Sequence, residues 1–185
     1  MSTHPTRREF LYGTAALGLS LTAVAAGAAE PAAALPPVRP ITRPPGFHWF
    51  GYYDKLQFDP TGRYVLGMEV GFEHRSPTGD DVIKVGVIDT ADGDKWAEIG
   101  TSSAWGWQQG YMLQWVPASA TEVLWNDRQD GRHVCHVYDV RTKQRRTIPS
   151  PVYTLSPDGK KVVIDSAHGG NGRQMYLIDI AGLTA

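Results

Sequence analysis

The sequence predicts an all-β chain, and three observations support this fold class. After Gly46, no stretch has apolar residues at the spacing of an amphipathic helix. Glycine and proline are frequent, with 20 and 13 residues, and they separate short runs rich in valine, isoleucine, tyrosine and tryptophan. One pattern of strand, turn and strand also recurs in phase. The alternative fold, an immunoglobulin-like sandwich, does not repeat one turn in this way.

The N-terminal segment has the layout of a twin-arginine export signal. Arg7 and Arg8 come shortly before an apolar pair, and an uncharged stretch follows from Gly13 to Ala29. This stretch is only mildly hydrophobic, which suits the twin-arginine route better than a membrane anchor. We therefore expect residues 1–29 to be a signal helix that is removed by cleavage. The twin-arginine machinery is then a partner, and the mature chain is periplasmic or extracellular, without a stable membrane span.

Composition divides the rest of the chain into a linker and one domain. Residues 30–46 are rich in proline, which favours extended backbone and excludes a helix. Residues 47–185 are long enough for one domain with its own core. The net charge of −1 implies no broad attraction to nucleic acid. The single cysteine, Cys135, excludes an intramolecular disulfide, and its alternating surroundings predict that it is buried.

The domain contains a repeated unit with a characteristic turn. In the first and third of its three copies, a capping side chain, a proline and a glycine give the turn type I chemistry. The three copies are Asp59-Pro60-Thr61-Gly62, Trp115-Val116-Pro117 and Ser156-Pro157-Asp158-Gly159. Downstream of each turn, an alternating strand ends in an aspartate; these are Asp89, Asp139 and Asp179.

The spacing of the repeats identifies the architecture. In the last two copies the aspartate follows the proline by 22 residues, and Pro117 and Pro157 are 40 residues apart. In the first copy the same distance is 29, which places seven additional residues in the loop from Gly71 to Asp81. A further strand follows in the first two copies, at Lys95 to Ile99 and at Arg145 to Ile148. Four strands in about 40 residues indicate a blade of a β-propeller.

Several segments resemble known exported propellers. The Ser-Pro-Asp-Gly-Lys turn is similar to the repeats of TolB-like periplasmic proteins. More distinctive segments resemble exported propellers related to oligogalacturonate lyase and other propeller polysaccharide lyases; they are His48–Asp54, Gly110–Trp115, Trp125–Arg128 and Asp165–Gln174. The resemblance covers about Gly46 to Ala185.

The number of repeats is too small for a closed ring. Propellers close with about four to eight blades, and the lyases that the chain resembles look seven-bladed, whereas this sequence has about three four-stranded repeats. We therefore expect an incomplete propeller, a partial copy without middle blades that arose by internal deletion or by an error in the assembled sequence. In a closed parent, Val38 to Ile41 would supply the outer strand of the last blade.

Loop geometry sorts the polar residues onto two faces. In a blade, the loop between the second and third strands shares a face with the connections between blades. We call this the near face, and the turns on the opposite face are explained by turn formation and solubility. The near face collects His48, Tyr52, Tyr53, His74, Arg75, Trp105, Trp107, Gln109, Asn126, Asp127, Arg128, His133, His168, Asn171 and Arg173.

These residue types suit an acidic carbohydrate. Aromatic faces stack on sugar rings, and a cation on a uronate carboxylate makes the adjacent proton acidic enough for β-elimination by a histidine or tyrosine base. We expect Arg128 or Arg173 to bind the uronate carboxylate, and His48, Tyr53 or His74 to act as the base. The expected substrate-binding residues are Tyr52, Trp105, Trp107, Gln109, Asn126, Asp127, His168 and Asn171.

Other roles compete with this assignment. Asp127 and Arg128 can form a simple loop salt bridge, His133 can be structural, and tryptophans such as Trp49, Trp115 and Trp125 are expected in the core. The resemblance to oligogalacturonate lyase implies a manganese site, but the histidines show no short ligand spacing, so the sequence identifies no ligands and leaves a divalent metal open. The alternative function is a non-enzymatic TolB-like module that binds a glycan or an envelope protein.

Overall fold

The computed structural model describes residues 35–166 and 174–180. The chain divides into two compact units, Met1–Val38 and Arg39–Ala185. In the first unit, Leu35 to Val38 are exposed and have no regular secondary structure. The predicted signal segment lies outside the described residues, as do His168, Asn171 and Arg173. In the described ranges no helix has the length and apolar character needed to cross a membrane.

The described part of the second unit contains three antiparallel sheets. The first consists of β1 (Phe47–Trp49), β2 (Tyr64–Val70), β3 (Ile83–Asp89) and β4 (Lys95–Ser102). The second consists of β5 (Gln114–Trp115), β6 (Glu122–Gln129), β7 (Arg132–Asp139) and β8 (Arg145–Ile148). The third consists of β9 (Thr154–Leu155), β10 (Lys161–Ser166) and β11 (Gln174–Asp179). Strands adjacent in sequence are adjacent in each sheet, which confirms the all-β prediction.

The repeat recognised from the turns occupies equivalent positions in the three sheets. The equivalent cross-strand pairs are Phe58 with Val65, Trp115 with Val123, and Leu155 with Val162. In the first sheet, however, Phe58 forms only an isolated bridge, and β1 lies upstream and pairs with the other end of β2. Close to this bridge, the carbonyl of Leu56 accepts the backbone N–H of Trp115 at 3.1 Å, which links the first sheet to the second.

Two hydrophobic clusters form the core. The first joins the first and second sheets through residues such as Leu66, Met68, Val85, Trp115 and Trp125. The second joins the second and third sheets through residues such as Leu124, Cys135, Val152, Val162 and Ile164. Trp115 and Trp125 are buried as expected, and Trp49 is partly buried against the first cluster. Cys135 is also buried, and its burial raises the pKa of the thiol.

The segment that would supply an outer strand in a closed parent propeller is not a strand in this structure. Val38 to Ile41 have no regular secondary structure. Arg39 pairs instead with Asp94 in the turn between β3 and β4, and Arg43 donates to the carbonyl of Gly93 at 3.5 Å. The side chain of Asp94 and the backbone carbonyl of Gly93 in that turn are thus the partners of these two arginines.

Candidate functional site

A strained backbone segment lies on the near face, between β4 and β5. The N–H of Gly110 donates to the carbonyl of Gly106 at 2.9 Å, which closes one turn. Gly110, Tyr111 and Met112 then have φ angles of 58°, 98° and 61°. Glycine adopts such angles freely, but tyrosine and methionine do so rarely, and such strain concentrates at functional sites. The carbonyl of Tyr111 accepts the N–H of Asn126 at 3.0 Å, so β6 fixes this conformation.

The strained backbone presents the Tyr111 side chain to His133. The two rings are stacked with centroids 6.0 Å apart, and the tyrosine oxygen lies 2.5 Å from Nδ1 of His133. Burial raises the pKa of Tyr111 to about 12. The positive charge of Arg128 lowers this pKa, and the negative charge of Asp127 raises it. The tyrosine is therefore protonated at neutral pH, and we assign its hydroxyl as donor to His133 Nδ1.

Arg128 provides a cation beside this pair. It lies directly opposite His133 in the register of β6 and β7, and its charge acts on the Tyr111 hydroxyl. Arg128 is exposed, and among the described residues its side chain has no hydrogen-bond or ion-pair partner. A guanidinium in this state can accept a carboxylate through two parallel hydrogen bonds. A cavity of about 130 Å³ adjoins Tyr111 and is lined by Gln109, Tyr111, Met112, Asn126, Pro151, Val152 and Tyr153.

Asp127 points into the protein instead of toward Arg128. Its carboxylate accepts the backbone N–H of Ser103 at 2.8 Å and lies 3.4 Å from Nε2 of His136. The other ring nitrogen of His136 lies 2.9 Å from the Thr147 hydroxyl. Burial lowers the pKa of His136, and Asp127 opposes this shift. The loop salt bridge between Asp127 and Arg128 does not form, because buried partners occupy the carboxylate, and this leaves Arg128 available.

Asn126 is committed to joining two sheets. Its amide donates to the carbonyl of Val152 at 2.8 Å and accepts the N–H of the same residue at 2.8 Å. The side chain is buried, with 4% of the residue exposed. Both functional atoms of the amide are therefore used within the protein, and Asn126 shapes the wall of the cavity.

The residues assigned as bases lie in separate environments. His48 is on β1, with Nε2 3.0 Å from Glu69 and its ring edge against Trp96. This is the flank of the first sheet opposite to Met68 and the second sheet. Tyr53 packs on Tyr52 with centroids 4.3 Å apart, and their hydrogen bond raises the pKa of Tyr52 to about 12.

The long loop between β2 and β3 folds onto an aromatic cluster of Trp49, Phe72, Trp105 and Trp107. The indole N–H of Trp105 donates to the carbonyl of Asp81, and that of Trp107 donates to the carbonyl of Arg75, each at 2.8 Å. Arg75 makes two hydrogen bonds of 2.7 Å with Asp81. The two tryptophans that the sequence predicts to bind substrate therefore hold this loop in place. His74 lies at its exposed tip, with a φ of 62°.

Two features of the site are not readable from sequence patterns. Tyr111 precedes a short strand, but none of the neighbouring residues in the sequence indicates that it has a φ of 98°. Sequence patterns do not identify His136, because its partners Asp127 and Thr147 come from two different strands. His133 lies beside Tyr111 on the surface. In the described part of the chain, no three histidine, cysteine, aspartate or glutamate residues are grouped to hold a metal ion.

Comparison with known proteins gives a fold and no family. No family model and no curated protein matches the chain. Among solved structures, the chain is similar to the crystal structure of TolB from Acinetobacter baumannii, with a TM-score of 0.50 and 15% sequence identity. The match covers 77% of this chain and 32% of that chain, so this chain spans about a third of the length of that structure. The three sheets thus have a TolB-like propeller fold, although those described do not close a ring.

Proposed function

We propose that this chain is an exported propeller-type protein whose near face binds an acidic, uronate-containing glycan. The observation that carries the proposal is the guanidinium of Arg128, which has no partner among the described residues and lies beside the hydrogen-bonded pair of Tyr111 and His133. A uronate offers a carboxylate for the guanidinium and hydroxyl groups for the tyrosine and histidine. Export rests on the twin-arginine pattern around Arg7 and Arg8, and the likeness to TolB supports the propeller fold only.

The surroundings of Arg128 favour a sugar carboxylate over a simple inorganic anion. A cavity of about 130 Å³ adjoins Tyr111, and the partly exposed ring of Tyr153 forms part of its wall. Aromatic side chains give a flat apolar surface with a polar edge, which matches the alternating apolar and hydroxyl surfaces of a sugar. Charge fixes the carboxylate, and the tyrosines contact the ring to which it is attached.

The test is calorimetric titration of the mature protein with an oligogalacturonide and with a neutral maltooligosaccharide. We expect binding of the acidic oligosaccharide only. Arg128→Gln should weaken this binding by about tenfold or more, because hydrogen bonds to charged groups contribute about 1.5–3 kcal/mol. The matched control is Arg141→Gln in the turn after β7, an exposed arginine on the opposite face. Equal affinity in the Arg128→Gln variant would contradict the proposal.

A second candidate function, β-elimination, is favoured by the 2.5 Å contact between Tyr111 and His133. Arg128 would neutralise the carboxylate, and Nδ1 of His133 would accept the proton from the adjacent carbon. The electron pair released would form a C–C double bond as the neighbouring C–O bond breaks. Tyr111, displaced from His133 by substrate, would donate its proton to the leaving oxygen. The same titration samples show this reaction by the ultraviolet absorbance of unsaturated uronates; binding without that absorbance leaves only the binding function.

A further inference from the structure

A second, larger cavity lies on the near face beside the Arg128 site. Its volume is about 510 Å³, and it is lined by Glu73, His74, Arg75, Ser76 and Trp107. Trp107 precedes Tyr111 by four residues in the turn closed by Gly110 and Gly106. Four residues span at most about 14 Å even when extended, and the turn shortens that distance. The two cavities are therefore neighbours along one segment, with the exposed Gln108 and Gln109 between Trp107 and Tyr111.

The aromatic wall of this cavity is fixed before any ligand binds. The indole N–H of Trp107 donates to the carbonyl of Arg75 at 2.8 Å. Its ring also packs against Trp49, Trp105 and Phe72 at centroid distances of 5.2, 5.1 and 5.6 Å. A ring held by four contacts loses little conformational entropy on binding. Trp107 thus offers a preorganised apolar surface at the edge of the cavity.

The charges in this cavity discriminate against a uronate. Two guanidinium nitrogens of Arg75 each lie 2.7 Å from the Asp81 carboxylate. The guanidinium carbon lies 3.3 Å from the centroid of the Phe72 ring. Glu73 contributes an exposed carboxylate, which lies 3.8 Å from Nε2 of His74. The arginine is therefore neutralised, while the glutamate would repel an acidic sugar. An aromatic wall with hydrogen-bonding groups, and with no unpaired arginine or lysine among the lining residues, fits a neutral sugar.

We propose that the Trp107 cavity is a subsite for a neutral sugar, and that the glycan ligand carries a uronate next to a neutral residue. This inference rests on the proposed function, since the Arg128 site supplies the position of the uronate. It specifies the ligand further: a heteroglycan with mixed residues binds more tightly than a homopolymer of uronate. Trp107 contacts the neutral ring, and Glu73 excludes a second carboxylate.

The probes are a rhamnogalacturonan backbone oligosaccharide, in which galacturonate alternates with rhamnose, and an oligogalacturonide of equal length. We expect the protein to bind the alternating probe about tenfold more tightly. Glu73→Lys should remove or reverse this preference by replacing a repulsive charge with an attractive one. Glu73 is exposed, so this change leaves the core intact, and Glu98→Lys on the outer flank of the first sheet is the matched control.

The outcomes separate this inference from the function on which it depends. If neither probe binds and Arg128→Gln changes nothing, the proposed function is wrong. If both probes bind through Arg128 with equal affinity, and Glu73→Lys has the effect of its control, only the neutral subsite is wrong. A loss of preference in Trp107→Ala, with retained Arg128-dependent binding of the oligogalacturonide, supports the subsite.

Discussion

At the scale of single residues, His136 joins the sheet that carries the candidate site to the segment that carries Tyr111. Its imidazole contacts the Asp127 carboxylate on β6 and the Thr147 hydroxyl on β8, and its ring packs on Trp125. Asp127 in turn accepts the backbone N–H of Ser103, at the start of the connection between β4 and β5. The buried histidine therefore supports a site whose own side chains lie on the surface.

This environment predicts that acid destabilises the protein through His136. Burial and the nearby Arg145 lower the pKa of this histidine below its ordinary value of 6.5, although Asp127 opposes them. As pH falls below about 6.5, the unfolded chain binds a proton that the native state excludes, so the free energy of unfolding decreases. Urea denaturation at pH 7 and pH 5 should show a smaller decrease in His136→Gln than in the wild type.

The control for this pH effect is His74→Gln, because the His74 side chain is 94% exposed. That variant should keep the pH dependence of the wild type. Identical behaviour of the His136→Gln and His74→Gln variants would show that the buried imidazole contributes nothing to the acid sensitivity.

At the scale of secondary-structure elements, the outer flank of the first sheet depends on glycine. The ring of Trp96 on β4 lies over Gly67 and Gly86, and a Cβ atom on Gly86 would come within 2.3 Å of that ring. His48 and Glu69 complete this flank, with Nε2 of His48 3.0 Å from the Glu69 carboxylate. The two glycines in β2 and β3 therefore provide the space that lets a tryptophan from the same sheet cover it.

The measurable consequence is a large cost for Gly86→Ala. We expect a loss of about 1–3 kcal/mol in the free energy of unfolding, the usual cost of overpacking. Trp96→Ala should also destabilise the protein, but the double variant should cost less than the sum, because removal of the ring relieves the clash. Gly79→Ala is the control, since its added Cβ would contact nothing within 4 Å. Strict additivity would show that the ring and the glycine are not coupled.

These elements also show what the sequence could and could not predict. Turn chemistry at Pro60 and Pro157, with the alternating strands after each turn, was sufficient for the sheets because it depends on neighbours in sequence. It predicts a regular strand at Phe58, where the structure has a single bridge to Val65. Loop geometry grouped Arg128 with His133 correctly, but the commitment of Asp127 to His136 depends on burial, which alternation alone does not reveal.

At the scale of the whole molecule, the two outermost flanks of the described sheets differ. The outer flank of the first sheet carries Trp96 and a row of charged groups in which Glu69 lies 2.7 Å from Lys84. The third sheet turns Val162 and Ile164 toward the second sheet. Strand alternation then places Met175 and Leu177 on its outer flank, where they are 82% and 66% exposed. Among the described residues, the outer flank of the first sheet is thus polar and covered by Trp96, and that of the third sheet is apolar and exposed.

This asymmetry predicts how the protein associates with itself. An apolar flank seldom pairs with a charged one, so contact between two copies of the third sheet is favoured over head-to-tail addition of the third sheet to the first. A contact of that kind uses the same surface on both copies and closes as a dimer, whereas head-to-tail contact would continue into longer assemblies.

Sedimentation velocity over a range of concentrations should therefore show monomer and dimer only. Leu177→Lys should abolish the dimer and leave the melting temperature almost unchanged. The control is Val82→Lys, which changes an apolar side chain that is 53% exposed elsewhere on the surface; this variant should still form the dimer. A series of larger species, or a dimer that persists in Leu177→Lys, would show that the third sheet is not the contact surface.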